Sequence, residues 1–308
     1  MVSKKTPLSI PVPSAGEVRS AKGSVDLSSD RVRVTLKTGE SIEVLLYGAT
    51  VTSWKVDGEE KLWVSEAAKL DGTKPVRGGI PLVFPCFGPN SSALNLPQHG
   101  FARLSNWSFL GENSEEPSSV QVDFGLSPSN IPDELKGKWD QNFGLIYSVI
   151  LGQKTLQTKL VVQNEGEEKW EFQVLFHTYF KVSNAEKVSI KGLKDVTYTD
   201  KVLGGTTASE DNESVTITGE TDRVYAKVPT DRETVIEQDG KAVFSVKRKN
   251  LEDVVVWNPH AAGAEKIGDF EPKEGWKEMV CVEAGSVGEW TTIEGGSVWE
   301  GGQIITLA

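Results

Sequence analysis

From Ser24 onward, apolar and polar residues alternate in short runs. Val32, Val34 and Leu36 interleave with Arg31, Arg33, Thr35 and Lys37, the two-residue period of a strand with one buried face. The same signature recurs at 41–46, 119–124, 155–163, 171–182, 214–218, 234–238, 242–247, 253–257, 278–283 and 303–307. So many short strands predict an all-β chain, a large antiparallel β-sandwich with a few short helices. Asp239-Gly240 separates two of these runs, and glycine accepts the positive φ that a two-residue hairpin turn requires. Helical signals are confined to 65–70, ending at Asp71-Gly72, and 132–136, ending at Gly137. Segments 115–118 and 127–129 are loop-sized, and no repeat of fixed period is present. The expected organisation is a loose leader, 1–23, followed by a single domain, 24–308.

Composition narrows the partners. Thirty-three basic against 44 acidic residues leave a net charge of -11, which disfavours nucleic acid and anionic membrane. A small anionic substrate stays compatible, because a few arginines in a pocket outweigh distant charge that salt screens. Cys86 and Cys281 both lie in apolar runs, which suits buried thiols in a reduced, cytoplasmic setting. The leader lacks the apolar stretch of a signal peptide, and nowhere do 18 apolar residues run together. Its low acid content fits a short organellar transit sequence, against which its sparse arginine argues. Sequons at Asn90, Asn106 and Asn212 matter only on secretion.

Three histidines are present: His99 in LPQHGFAR, His177 in EFQVLFHTYFKV and His260 in WNPHAAG. A histidine in an aromatic strand is commonly a packed residue with one nitrogen satisfied. For His177 the alternation says more: Phe172, Val174 and Phe176 share one face, and Gln173, Leu175, His177 and Tyr179 the other. That second face mixes polar and aromatic groups, as sugar binding requires. Glu283 closes the apolar run MVCVE before Ala-Gly-Ser, either at the mouth of a site or as a solvated strand end. Arg77 in KPVRGGIPLVFPCFGP and Arg103 in QHGFARLSNW lie in loops rich in Gly, Pro and aromatics. Glycine there lets backbone approach a ligand, and a guanidinium matches phosphate oxygens; a surface charge is the plainer alternative. Lys247-Arg248-Lys249 reads as a solvated hairpin end. Trp257, one of nine tryptophans, either stacks on a sugar ring or packs the core. The Gly-rich stretch 285–302 lacks the strand and helix flanks of a phosphate cradle, so its glycines read as turns. No metal-ligand spacing and no G-x-S-x-G nucleophile motif occur, which leaves acid–base chemistry.

Taken together, VRGGIPLVFPCFGP, LPQHGFAR, FHTYF, DRVY, DVVVWNP and VCVEAGSV resemble the aldose 1-epimerase superfamily, in particular its glucose-6-phosphate 1-epimerase branch. The resemblance spans the chain after the leader and implies an antiparallel β-sandwich with its site on a concave face. It implies anomer interconversion by ring opening and reclosure, with His177 as general acid and Glu283 as general base. It further implies that Asp222 and His99 hold sugar hydroxyls, and that Gln98, Arg77 and Arg103 surround a phosphate. Asp253 is an alternative to Asp222, and Trp257 a further sugar contact. No cofactor or metal is implied; the expected partner is a small sugar phosphate, and the expected state a monomer. The competing readings are a mutarotase of unphosphorylated aldoses, a carbohydrate-binding protein without catalysis, and a glycoside hydrolase, which would use two carboxylates.

Overall fold

The structure is a computed structural model that describes residues 23–88, 94–114 and 118–308, with the backbone of 17–19. Most of the expected leader, the Asn90 sequon and residues 115–117 lie outside the described residues. Within the leader segment, Glu17–Arg19 pairs as an edge strand with Gly23–Leu27.

Three antiparallel sheets carry the chain. In the first, Arg31–Leu36 lies between Gly23–Leu27 and Ser41–Leu45, and the alternation buries Val32, Val34 and Leu36 as the sequence predicts. Val51–Val56 and Glu59–Glu60 complete that sheet. The second runs in the order Ser214–Thr216, Val188–Lys191, Thr234–Gln238, Lys241–Lys249, Val298–Leu307, Thr155–Asn164, Phe143–Leu151, Val120–Leu126, Ser108–Glu112. The third runs Thr206–Ser209, Thr197–Asp200, Thr221–Tyr225, Asp253–Asn258, Met279–Ile293, Trp170–Phe176, Leu82–Val83, and Tyr179–Lys181 also pairs with Met279–Ile293. All three sheets feed one continuous core in which Val34, Trp54, Phe124, Tyr147, Leu160, Phe176 and Val282 are buried. The other face of the third sheet carries two smaller apolar clusters, one around Trp63, Tyr179 and Phe270, the other around Phe87, Leu175 and Val255.

Several elements differ from the sequence expectation, each for a local reason. Residues 65–70 are turn and coil rather than helix. The Ser65 hydroxyl donates to the Asp269 carbonyl and accepts from the Glu271 and Ala67 N–H groups, binding the segment to a distant loop. The signal at 132–136 shrinks to a 3-10 turn, Asp133–Leu135. The only α-helix among the described residues, His260–Lys266, carried no recognised signal; Asn258 starts it by accepting the His260 N–H at 2.8 Å. The run 171–182 is two strands, because the N–H groups of His177 and Tyr179 turn aside to the carbonyls of Pro81 and Gly79. Met279–Ile293 continues well past Glu283 through Gly285 and Gly288, and Gly301 and Gly302 also lie in strand, so these glycines are not turns. Arg248 is not solvated: it is buried and donates to the carbonyls of Val228, Pro229, Arg232 and Leu251.

Candidate active site

Residues paired directly across antiparallel strands project to the same face, so the register of the third sheet assembles the candidates. Asp222 pairs with Trp257, Trp257 with Cys281, and Cys281 with Tyr179, one row across four strands. Two residues along each strand comes the next row: Val224 opposite Val255 and Val255 opposite Glu283. His177, two residues before Tyr179, meets Glu283 there, with Nδ1 at 3.4 Å from Oε1. The two are not aligned as a hydrogen bond: His177 Nδ1 and Glu283 Oε2 are buried atoms with no partner among the described residues. Glu283 is 1% exposed, deep inside its strand rather than at an emerging end.

Aromatic neighbours orient the imidazole. The His177 ring stacks on Tyr179 at 4.7 Å and 8°, and meets Trp257 and His99 edge-on at 5.9 and 6.0 Å. His99 reaches this position on a loop whose next residue, Gly100, has φ +74°; a Cβ there would stand 2.1 Å from the Phe84 carbonyl oxygen. Only glycine lets that loop lie against Phe84. His99 itself has φ +67° and accepts the Gly88 N–H at Nδ1, at 3.3 Å. Beside Arg77, Gly79 has φ +67° and would bring a Cβ to 2.1 Å from the Val51 carbonyl oxygen. The glycine there permits backbone to meet backbone, not ligand.

Both arginines approach the same region. Arg77 donates from Nε to Asp269 at 3.1 Å and from a terminal nitrogen to the Tyr179 hydroxyl at 3.3 Å. Arg103, the middle residue of the 3-10 helix Ala102–Leu104, donates to the Gln98 carbonyl at 2.8 Å, and its buried Nε has no partner among the described residues. Burial, and next the Arg77 cation, hold Arg103 down to about 10. Arg77 is raised by Tyr179 and Asp269 against its burial. Gln98 is exposed. Sequence reasoning missed Lys201, which no motif marks: its ammonium sits 4.0 Å over the Phe87 ring and 3.7 Å from an Asp222 carboxylate oxygen.

Burial governs the protonation states. It raises Glu283 well above the ordinary carboxylate value, with Asp222 adding repulsion and Lys201 opposing. It lowers His177 well below the ordinary imidazole value, with His99 and the two arginines adding to the effect. His99 is pushed down to about 3 by burial, then by Arg103, Lys201 and Arg77. Asp222 is raised by burial, against which Lys201 acts. Burial thus works against the charged glutamate beside a partly protonated histidine that unperturbed values suggest, and favours the neutral form of each.

Two other residues sit differently. Both carboxylate oxygens of Asp253 are taken by backbone: Oδ2 accepts from Val287 and Gly288 at 2.6 and 2.7 Å, and Oδ1 from Lys227 at 3.1 Å. Asp253 also lines a groove with Thr197, Lys227 and Arg232 that includes none of the other candidates. His260 lies against Trp276, ring centroids 4.0 Å apart. The fold also makes a grouping hidden by sequence separation: ligand atoms of His177, Cys281 and Glu283 all lie within 4.8 Å of one another.

The family model of aldose 1-epimerase matches residues 30–306. A Cenchrus ciliaris protein named as a candidate glucose-6-phosphate 1-epimerase is 35% identical over 269 residues, 84% of this chain and 79% of that protein. An Escherichia coli protein of the same name is 34% identical over 79% of each chain. Among solved structures, a candidate mutarotase from Salmonella typhimurium superposes with TM-score 0.81 at 27% identity, covering 97% of both chains. A galactose 1-epimerase from Lactobacillus acidophilus, at 15% identity, TM-score 0.66, 94% of this chain and 96% of its own, shares the fold.

Proposed function

The chain belongs to the aldose 1-epimerase family and is an isomerase of sugar anomers; within that activity we propose that its substrate is an aldohexose 6-phosphate, glucose 6-phosphate first. The observation that carries the acid–base half is the buried His177–Glu283 pair, 3.4 Å apart with a free valence on each partner. The phosphate half rests on two mutually repelling guanidiniums, Arg77 and Arg103, of which Arg103 keeps a buried Nε unpaired. An anion between them removes the repulsion and supplies the missing acceptor. The names of the two relatives point the same way.

In the proposed reaction Glu283 takes the proton of the anomeric hydroxyl while His177 delivers one to the ring oxygen. The bond from C1 to that oxygen breaks, the aldehyde turns about C1–C2, and the reverse transfers reclose the ring on its other face. Burial favours a neutral free pair, with its proton on Glu283. A sugar hydroxyl bonded to Glu283 favours the carboxylate, so the proton passes to His177 and the working tautomer forms without net charge entering the site. Asp222 and His99 hold hydroxyls, Lys201 secures Asp222, and Trp257 offers a ring face. Gln98 flanks the phosphate, and Asp253 braces the 287–288 backbone. The free, buried thiols of Cys86 and Cys281 fit a reduced cytoplasm; among the described residues no helix is long and apolar enough to cross a membrane.

Exchange NMR between the α and β anomers of glucose 6-phosphate tests the pair. Wild-type protein should transfer magnetisation between the two anomeric signals, and Glu283→Gln should reduce exchange to the spontaneous rate while substrate still binds. Near wild-type exchange by Glu283→Gln would sink the assignment of the base.

A further inference from the structure

We propose that His177, Cys281 and Glu283 form a binding site for a soft divalent cation of the zinc class, and that the cation blocks the acid–base pair. The blocking rests on the function proposed above; the binding does not.

An imidazole, a thiol and a carboxylate converge with their ligand atoms within 4.8 Å. Two of them are short of partners: Nδ1 of His177 and Oε2 of Glu283 are buried and unbonded among the described residues. Cys281 and Glu283 are two residues apart on one strand and so share a face, and Tyr179 stacks on His177 to steady its ring. Zinc binds these three donor types at about 2.0–2.3 Å in a tetrahedron, which sets neighbouring ligand atoms roughly 3.3–3.8 Å apart. The Nδ1 to Oε1 distance of 3.4 Å already falls in that range, so closing the set needs a shift of about an ångström at the longest gap.

Charge favours the cation once the thiol ionises. Binding one divalent ion releases two protons to solvent, that of the Cys281 thiol and that held by the His177–Glu283 pair, and thiolate plus carboxylate then neutralise the metal. The carboxylate so formed on Glu283 has the metal as its partner, and Asp222, close by in the next row, adds to the attraction. Arg77 and Arg103 oppose it. Hard cations such as magnesium prefer oxygen ligands and do not compete.

The test adds cobalt(II) chloride to the full-length protein and follows the thiolate-to-cobalt charge-transfer absorption, then displaces it with zinc chloride. One equivalent should produce the band; Cys281→Ala should abolish it, and Cys86→Ala should leave it. In parallel, zinc should suppress glucose 6-phosphate anomer exchange by wild-type protein at a concentration at least about tenfold below that required for Cys281→Ala, each rate taken relative to that protein's own metal-free exchange. If Cys281→Ala fails to fold, Cys281→Val, which refills the space, takes its place. A missing band, a band that survives removal of Cys281, or equal zinc sensitivity of both proteins overturns the site. A Cys281-dependent band in a protein without anomer exchange leaves the site standing and refutes the enzymatic reading instead.

Discussion

At the scale of single residues, Glu283 is where stability and the proposed chemistry oppose each other. Its carboxyl is raised above the ordinary 4.5 by burial, so the folded state binds its proton more tightly than the unfolded state. That contribution is fully present below about pH 4.5 and is lost as pH climbs through the folded value, after which the native state carries a buried charge. Glutamine carries none. Thermal melts of wild type and Glu283→Gln should therefore coincide near pH 4 and separate toward pH 8, with the variant the more stable. A gap independent of pH, or a less stable variant at pH 8, contradicts the burial argument. His177→Asn should lower anomer exchange as severely as Glu283→Gln, and the double variant should be no worse than either, because in the proposed reaction the two residues serve one transition state; clean additivity in exchange rates would mean independent roles. The face of His177 was legible from the alternation around it, since Phe176 buries in the core on the opposite side. The burial of Glu283 was not, because Ala284-Gly285-Ser286 reads as a turn while the pairing of Gly285 with Leu175 keeps it in strand.

Among elements, the strands were the readable part and the loops between them were not. Arg31–Leu36 and Thr155–Asn164 alternate cleanly because each has one face in the core. The supposed helix at 65–70 was lost to a tertiary contact of one serine hydroxyl, and the break at 177–178 to carbonyls of the 79–81 loop, neither of which is local. The loop bearing His99 offers a test of element-level constraint. Gly100→Ala meets both a positive φ and the Phe84 carbonyl, so it should cost on the order of 2 kcal/mol or more and raise KM by moving His99. Gly204→Ala has the same sign of φ but nothing within 4 Å of its Cβ, and should cost about 1 kcal/mol or less with KM unchanged. Urea denaturation of the two variants separates backbone strain from steric collision; equal losses would remove the role assigned to the close approach.

For the whole molecule, the sandwich class was legible but the site was not, since alternation tells which face a residue occupies and never which strand lies beside it. Asp222, Trp257, Cys281 and Tyr179 form one row only because four strands distant in sequence pair in that register. Lys201 and the His177–Cys281–Glu283 grouping were hidden for the same reason. The net charge of -11 repels an anionic sugar at long range, but over a Debye length of about 8 Å at physiological salt it is screened, leaving Arg77 and Arg103 to decide. Their effect on substrate choice is therefore the most direct measurement: anomer-exchange rates of glucose 6-phosphate and glucose with wild type, Arg77→Ala and Arg103→Ala. Loss of one charge-assisted contact, worth about 1.5–3 kcal/mol, should weaken use of the 6-phosphate by roughly 10- to 150-fold while exchange of free glucose barely changes. Equal losses on the two sugars in folded variants would contradict the phosphate site and leave a mutarotase of unphosphorylated aldoses.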